Sequence, residues 1–342
     1  MNVVDGSDID SRLDRDCDVV IVGSGPAGAT VARQLARQGV RVVVVEQGPW
    51  MEPDEFPEEM FSSLADMFRE MAAELTASWP PMPILQGVVV GGSSVVNGAI
   101  CWKFPEYVYE AWCKQDPALR EAIPWERLDG AFDDIKEDLS IGPTSYEKAG
   151  RHNQVMADGA DALGMEHRPT HLNVEGDGNG ARALRGTREG NKMSMDQTYL
   201  PDACEHGAEI ISCTTAERIE RENGEAIGIR GTTSAGGEVR VRADRGVVLA
   251  ASAIQTPALL LRNGIDHGPV GDNLQAHPGA SVMGLFDEKV EMWRGPTQGH
   301  ETLALRDEGI KLETLGYNPT LAVIRMKKIG RELSRELARM DQ

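Results

Sequence analysis

The sequence predicts an α/β fold built on a parallel sheet, and two observations carry that prediction. The first is the stretch Val19-Val-Ile-Val-Gly-Ser-Gly-Pro-Ala-Gly28. Its apolar run, residues 18–22, feeds directly into Gly23-x-Gly25-x-x-Gly28 and then into a helix-compatible segment, residues 27–38. The second is another apolar run, Val42 to Val45, that ends in Glu46. Both runs are continuously apolar rather than alternating, the pattern of parallel strands covered on both faces. Gly23 permits a tight turn, Gly25 lets backbone approach a pyrophosphate, and Gly28 lets the helix pack closely on its strand, with the helix N-terminus facing the negative charge. Glu46 stands near the spacing of about 20 residues at which a carboxylate takes ribose hydroxyls. Strand, glycines, helix, strand and acid in register predict a dinucleotide site rather than an idle glycine-rich turn.

The remaining elements follow in order. Residues 1–16 are acidic and polar, lack the basic and apolar regions of a signal peptide, and read as a short disordered lead-in. On the first helix Ala27, Val31 and Leu35 recur every four residues, and Gly39 takes the C-cap position. Residues 47–83 break the alternation. They open with Pro49, Glu52, Pro53 and Pro57, continue through a predicted helix at residues 61–75, and end at Trp79-Pro80-Pro81, as an excursion or lid over the nucleotide domain.

Gly87-Val-Val-Val-Gly91-Gly92-Ser93-Ser94-Val95-Val96-Asn97-Gly98 follows. Paired glycines before two serines and an asparagine suit close backbone approach to something flat or anionic; the plain alternative is a turn between two strands. The G-x-S-x-G nucleophile elbow is excluded, because Val95 stands where its last glycine belongs. Helices are predicted at residues 105–115, 125–139 and 145–163, a glycine- and arginine-containing loop at 176–190, and a helix or turn at 191–204. Strands at 209–213, 226–233 and 238–243, joined by Asn223-Gly224 and Gly236-Gly237, read as an antiparallel meander. Gly246-Val-Val-Leu-Ala-Ala251 is again a continuous apolar strand, leading into a short helix at 258–262. A polar turn at 271–278, a strand at 280–286 and a final helix with Ile324, Ile329, Leu333 and Leu337 on one face complete the chain.

Composition bounds the partners. The 342 residues carry 35 Lys and Arg against 54 Asp and Glu, a formal charge of −19. Such a surface repels phosphate backbones and anionic lipid, so neither nucleic acid nor a membrane is expected as partner. No apolar run approaches the roughly 18 residues of a membrane span. Five cysteines form no C-x-x-C pair and are odd in number, which suits reduced thiols in a cytoplasmic protein.

Four blocks, residues 23–28 with Glu46, 91–98, 246–264 and 271–278, together resemble the glucose–methanol–choline (GMC) family of flavin oxidoreductases. The stretch Lys192-Met-Ser-Met-Asp-Gln-Thr-Tyr-Leu-Pro201 is nearest the long-chain alcohol oxidase and cholesterol oxidase branches. The resemblance covers nearly the whole chain from Cys17 onward. It implies a Rossmann-like, discontinuous FAD-binding domain (residues 17–104 and 191–278), a helical insertion or lid (105–190), and an incomplete α+β substrate domain with an antiparallel sheet (279–342). By the same resemblance Gly23, Ser24, Gly25, Pro26, Ala27 and Gly28 hold the FAD pyrophosphate, and Glu46 with Gln47 the adenosine ribose. Gly91, Gly92, Ser93, Asn97, Gly98 and Ala99 run beside the pyrophosphate and isoalloxazine. Ala216 meets the adenine through its backbone, and Ala251 and Ser252 close over the dinucleotide.

Two departures qualify the likeness. Where the alcohol-oxidase branch has a C-x-x-G-C loop, this chain has Ala183-Leu-Arg-Gly186-Thr187. The family histidine that serves as acid/base near the C-terminus has no counterpart before Gln342, so no catalytic residue is assigned. The first expectation is an FAD-dependent oxidoreductase acting on the CH–OH group of an alcohol, long-chain or sterol-like. Two alternatives are a non-catalytic flavin-binding half, completed by a protein partner that supplies the C-terminal part, and an NAD-dependent dehydrogenase.

Other constellations read as structural. His167 and His171 are separated by Pro169 and share no helical face, so no metal is expected. His277 follows the cofactor blocks and reads as a structural turn histidine, the alternative being a place near the flavin, while Asp133, Asp134, Glu137 and Asp138, like Lys327, Lys328 and Arg331, read as solvated charge.

Overall fold

All four side chains of Val42–Val45 are buried, and the computed structural model of the chain places this strand inside a seven-stranded sheet. The structure describes residues 1–175, 180–277, 279–316, 318–326 and 328–340. It divides into two compact units, the first of residues 1–97, 185–190 and 194–284, the second of residues 98–184, 191–193 and 285–342.

The strands of the first unit are β1 (Val3–Asp5), β2 (Leu13–Val22), β3 (Val42–Val45), β4 (Glu209–Ser212), β5 (Thr214–Glu222), β6 (Glu225–Thr233) and β7 (Glu238–Leu249), in the order β1-β4-β3-β2-β7-β6-β5. β1, β4, β3, β2 and β7 are parallel, and β6 and β5 return antiparallel. Val20, Ile21, Val44, Ile211, Ile229, Val239 and Val241 fill the core. Three helices serve the site: α1 (Pro26–Ala36), α2 (Tyr199–Glu205) and α3 (Ser252–Arg262). Proline at the first position of α1 suits a place where its missing N–H has no intrahelical partner.

Several expectations are corrected here. Residues 1–16 are no disordered lead-in: Val3–Asp5 pairs in parallel with Ile210–Ser212, and β2 begins at Leu13. The buried face of α1 is Gly28, Ala29, Ala32, Arg33 and Ala36, not Ala27, Val31 and Leu35, because the smallest side chains let the helix lie close to the sheet. The meander gains β5, which the sequence reading passed over, whereas β4 is a parallel strand outside it. The two segments 238–243 and 246–251 are one strand. Its first part lies between β6 and Leu13–Cys17 of β2, and after an irregularity between Ala243 and Gly246 its second part continues beside Val19–Val22 of β2. The helix at 61–75 is shorter, Met60–Met67, followed by a 3₁₀ turn. Residues 280–286 form no strand and leave Val282 fully exposed, since no described strand lies alongside to take their backbone hydrogen bonds.

The second unit holds a three-stranded antiparallel sheet, Leu312–Glu313, His300–Thr302 and His167–Pro169, and a two-stranded one, Gly142–Pro143 with His171–Leu172. Its helices include Glu106–Gln115, Trp125–Asp138 and Arg151–Leu163. The single final helix expected is two, Pro319–Arg325 and Gly330–Leu337, with extended backbone at Met326 between them. Of the predicted loop at 176–190, residues 176–179 lie outside the described residues, as do Pro278 and Lys327.

Candidate functional site

Within the first unit a cavity of about 690 Å³ opens beside the C-terminal ends of β2, β3 and β7, where ligands bind in open α/β sheets. Gly23, at φ +98°, makes the turn out of β2, and a Cβ there would sit 2.5 Å from the Ala250 carbonyl oxygen. A Cβ on Gly28 would sit 1.9 Å from the Gly23 carbonyl oxygen, so Gly28 is demanded by packing. Gly25 differs. Its φ of −64° suits any residue, and a Cβ would meet nothing within 4 Å. Nothing in the chain requires glycine there, yet it lines the cavity and caps α1 without a side-chain hydrogen bond. The uncapped N–H groups of α1 and the space over Gly25 form a cradle for an anion that a side chain would fill.

A second glycine loop closes on the first. Gly92, at φ +58°, stands where a Cβ would come 2.9 Å from the Gly25 Cα. Ser93 starts the four-residue helical turn Ser93–Val96, and its hydroxyl oxygen accepts from the Gly87 amide at 2.9 Å. The Ser24 hydroxyl donates to Glu46 Oε2 at 2.6 Å and accepts from the Gly91 amide at 2.9 Å, tying both loops to the end of β3. Glu46 Oε2 also accepts from the Ser24 amide, and Oε1 from the Gly48 amide, each at 2.9 Å. A carboxylate offers about four acceptor sites, so Glu46, which lines the cavity, retains capacity for a ribose hydroxyl.

The opposite wall comes from β5 and the start of α3. Thr214, Thr215 and Ala216 line it, where the pairing of β5 with β6 shifts register between Ala216 and Arg218. Ser252 is held at φ +85°, and its hydroxyl oxygen accepts from Gln86 Nε2 at 2.8 Å, joining the excursion to α3. Nearby, burial and the neighbouring Asp5 push the Cys213 thiol up to about 11, so it is inert at neutral pH.

The cavity therefore gathers Gly23, Gly25, Pro26, Ala27, Glu46, Gln47, Gly92, Ser93, Ala216, Ala251 and Ser252 of the expected residues. Ser24, Gly28, Gly91 and Asn97 belong to the same unit but do not line it. Ser24 is fully buried with its hydroxyl spent between Glu46 and Gly91, and Gly28 is spent on packing. Gly98 and Ala99 belong to the second unit. Ala216 lies on β5, the strand that the sequence reading passed over. Sequence reading missed Arg69, Gln86, Thr214, Thr215 and Arg262, for which only their nearness to the motifs could have served as a signal. His167 and His171 sit on successive short strands. Among the described residues no group of three His, Cys, Asp or Glu side chains could hold a metal.

A parallel sheet with a glycine turn, an open helix N-terminus and an acid at the end of the next strand defines a dinucleotide-binding protein. The family model described as GMC oxidoreductase matches residues 17–279, and the chain belongs to that family. An uncharacterized GMC-type oxidoreductase of Mycobacterium tuberculosis is 34% identical over 328 residues, covering 95% of this chain and 52% of the relative. Long-chain-alcohol oxidase FAO4B of Arabidopsis thaliana is 29% identical over 292 residues, covering 82% of this chain and 38% of the relative. Among solved structures, pyridoxine 4-oxidase from Mesorbium loti superposes with a TM-score of 0.53 at 19% identity, over 73% of this chain and 52% of that one. At that identity it speaks for the fold alone. The chain spans about half the length of the M. tuberculosis relative and less of the Arabidopsis thaliana oxidase. FAD is the cofactor of the family, and the cradle over Gly25 fits its pyrophosphate. The nicotinamide alternative is set aside.

Proposed function

We propose that this chain forms the FAD-holding part of a flavin-dependent oxidoreductase acting on the CH–OH group of an alcohol, of the long-chain or sterol-like kind. The observation that carries the reading is the unfilled space over Gly25 at the uncapped start of α1. The backbone amides at the start of α1 and the Gly92–Ser93 turn would hold the pyrophosphate, Glu46 would accept from the adenosine ribose, and the Thr214–Ala216 backbone would meet the adenine. Ala251 and Ser252 would limit water on the remaining side. When bound, FAD supplies a hydride acceptor, while the protein supplies position and electrostatics. The substrate class rests on relatives named long-chain-alcohol oxidases. The alternative of a half completed by a separate protein has no support among these relatives, which carry the region within longer single chains.

The test is an absorption spectrum of the purified chain after exposure to FAD, followed by anaerobic addition of long-chain alcohols. The expected result is a flavin band retained through gel filtration and bleached by the alcohol. A retained band that no alcohol bleaches would remove the substrate class, and no retained flavin would remove the cofactor site. Gly25→Val places a side chain in the cradle and should abolish flavin retention while leaving the unliganded fold intact; full retention would sink the site assignment.

A further inference from the structure

We propose that Arg69 is a binding residue for an anionic oxygen on the ADP half of the dinucleotide, a contact that rests on the assignment of the cavity to FAD. Arg69 comes from the excursion between β3 and the second glycine loop, a stretch the reading above leaves without a task. Its backbone amide donates to the Gln86 carbonyl at 2.9 Å, next to the antiparallel bridge between Phe68 and Gly87. Its side chain lines the cavity and donates from Nη2 to Gln47 Oε1 at 2.6 Å, beside Glu46. The Nε donor is buried and finds no hydrogen-bond partner among the described residues.

A buried donor of a charged group without an acceptor is costly, so its place in a ligand cavity points to an acceptor on the ligand. The backbone beyond it agrees. Glu70, Met71 and Ala72 are consecutive non-glycine residues at φ +48°, +54° and +60°, and strain of this kind persists where a ligand clamp is held in place. Charge selects the partner. The cavity lining carries one carboxylate, Glu46, and two guanidinium groups, Arg69 and Arg262. The Nε of Arg262 is already spent on the Ala258 carbonyl at 3.1 Å. Arg262 is exposed, so Arg69 brings the buried unspent cationic donor, and the ADP half brings the phosphate oxygens that a guanidinium binds best.

Calorimetric titration of the flavin-free chain with ADP and with adenosine tests this without reference to turnover. Arg69→Ala should weaken ADP binding about tenfold to a hundredfold, leave adenosine within about twofold, and flatten the salt dependence of ADP binding. Should Arg69→Ala not fold, Arg69→Gln, which keeps a donor toward Gln47 without the charge, must show the same ADP-specific loss. Wild-type ADP affinity in the folded variant overturns the contact. Equal losses for ADP and adenosine overturn it too, because they would mean a packing or ribose role. A wild-type chain that binds neither ADP nor FAD brings down the cofactor assignment itself, and this inference with it.

Discussion

Each of the two units is held by an interior of different chemistry. In the first, Val20, Ile21, Val44, Ile211, Ile229, Val239 and Val241 bury almost completely, and burial of that kind is non-directional. In the second, much of what is buried is polar: Asn153, Thr170, Asn173, His300, Glu301 and Thr302, beside a small apolar cluster of Ala99, Leu172 and Ala183. Glu301, 1% exposed, accepts from Arg168 Nε at 2.5 Å, with Lys311 at 3.4 Å. An aliphatic sheet holds itself without directed contacts, which leaves the loops at its strand ends free to shape a ligand cradle. A polar interior depends on directed contacts, and there the cost of a missing one is high: Thr170 Oγ1, Asn173 Oδ1 and Glu301 Oε2 already lack a hydrogen-bond partner among the described residues.

The sharpest way to break this comparison is Asn153→Leu. Asn153 Nδ2 donates to the Ala149 carbonyl at 2.5 Å and the Pro296 carbonyl at 3.0 Å, while Oδ1 accepts from the Gly299 amide at 2.8 Å and from the Thr314 hydroxyl. One side chain thus joins the helix Arg151–Leu163 to two distant segments of the same unit. Leucine keeps the volume and strands these groups, so the loss should be about 3–5 kcal/mol. In the first unit, Val44→Ala should cost about 2 kcal/mol. Urea unfolding followed by hydrogen exchange reads both, and a larger loss for Val44→Ala would overturn the contrast.

The same contrast decides what was legible in the sequence. β2, the glycine turn, α1 and β3 could be read because continuous apolar runs and demanded glycines are local signals. β5 was hidden because Glu217, Arg218, Glu220, Arg221 and Glu222 leave Ile219 as its well-buried aliphatic side chain, and the period of two disappears under charge. Val3–Asp5 was hidden because its partner, Ile210–Ser212, lies far along the chain. Residues 280–286 failed in the opposite sense, since they carry a strand's composition with no partner strand described. In the site, Gly25, Glu46, Gly92 and Ser93 were readable from motif spacing. Arg69 and Gln86 were not, because an irregular excursion carries them there and its course has no period.

A smaller effect should come from the packing of α1 on α2. Arg33 is buried, donates to Asp202 Oδ2 at 2.5 Å and lies 4.2 Å from the centre of the Tyr199 ring; Arg37 reaches the same carboxylate oxygen at 2.6 Å. Burial pushes the Asp202 carboxyl up, but hydrogen bonds from Arg33 and Arg37 outweigh it and hold it below the ordinary 3.8. Asp202→Ala should cost about 2–3 kcal/mol, since it leaves Arg33 without its carboxylate, and Asp202→Asn should recover part of that. This stability is present above the unfolded value and lost only as pH falls through the lowered one. A chain that unfolds as readily with Asp202→Ala as without it would show α1 to be held by its alanines alone.

The two units should also part company in mild acid. Burial lowers His300, helped by the neighbouring His167, whose Nδ1 lies 2.7 Å from His300 Nε2, and opposed by Asp161. Burial also lowers His152 and His171, the latter helped by Arg168. All three belong to the second unit. A histidine held below its ordinary 6.5 stays neutral in the folded unit while the unfolded chain takes up a proton. The unfolded state then binds more protons, so stability is complete above the unfolded value and falls with pH below it. In the first unit the lowered groups are carboxylates, among them Asp202 and Glu220, whose window lies well below that of histidine. Hydrogen exchange between about pH 7.5 and about pH 5.5, corrected for intrinsic rates, should show protection falling around Arg151–Leu163 and His300–Thr302 while β2 and β3 hold theirs. His300→Gln should flatten that slope. Equal losses in β2 and β3 would mean that the two interiors titrate as one, and an unchanged slope in His300→Gln would place the sensitivity on His152 or His171.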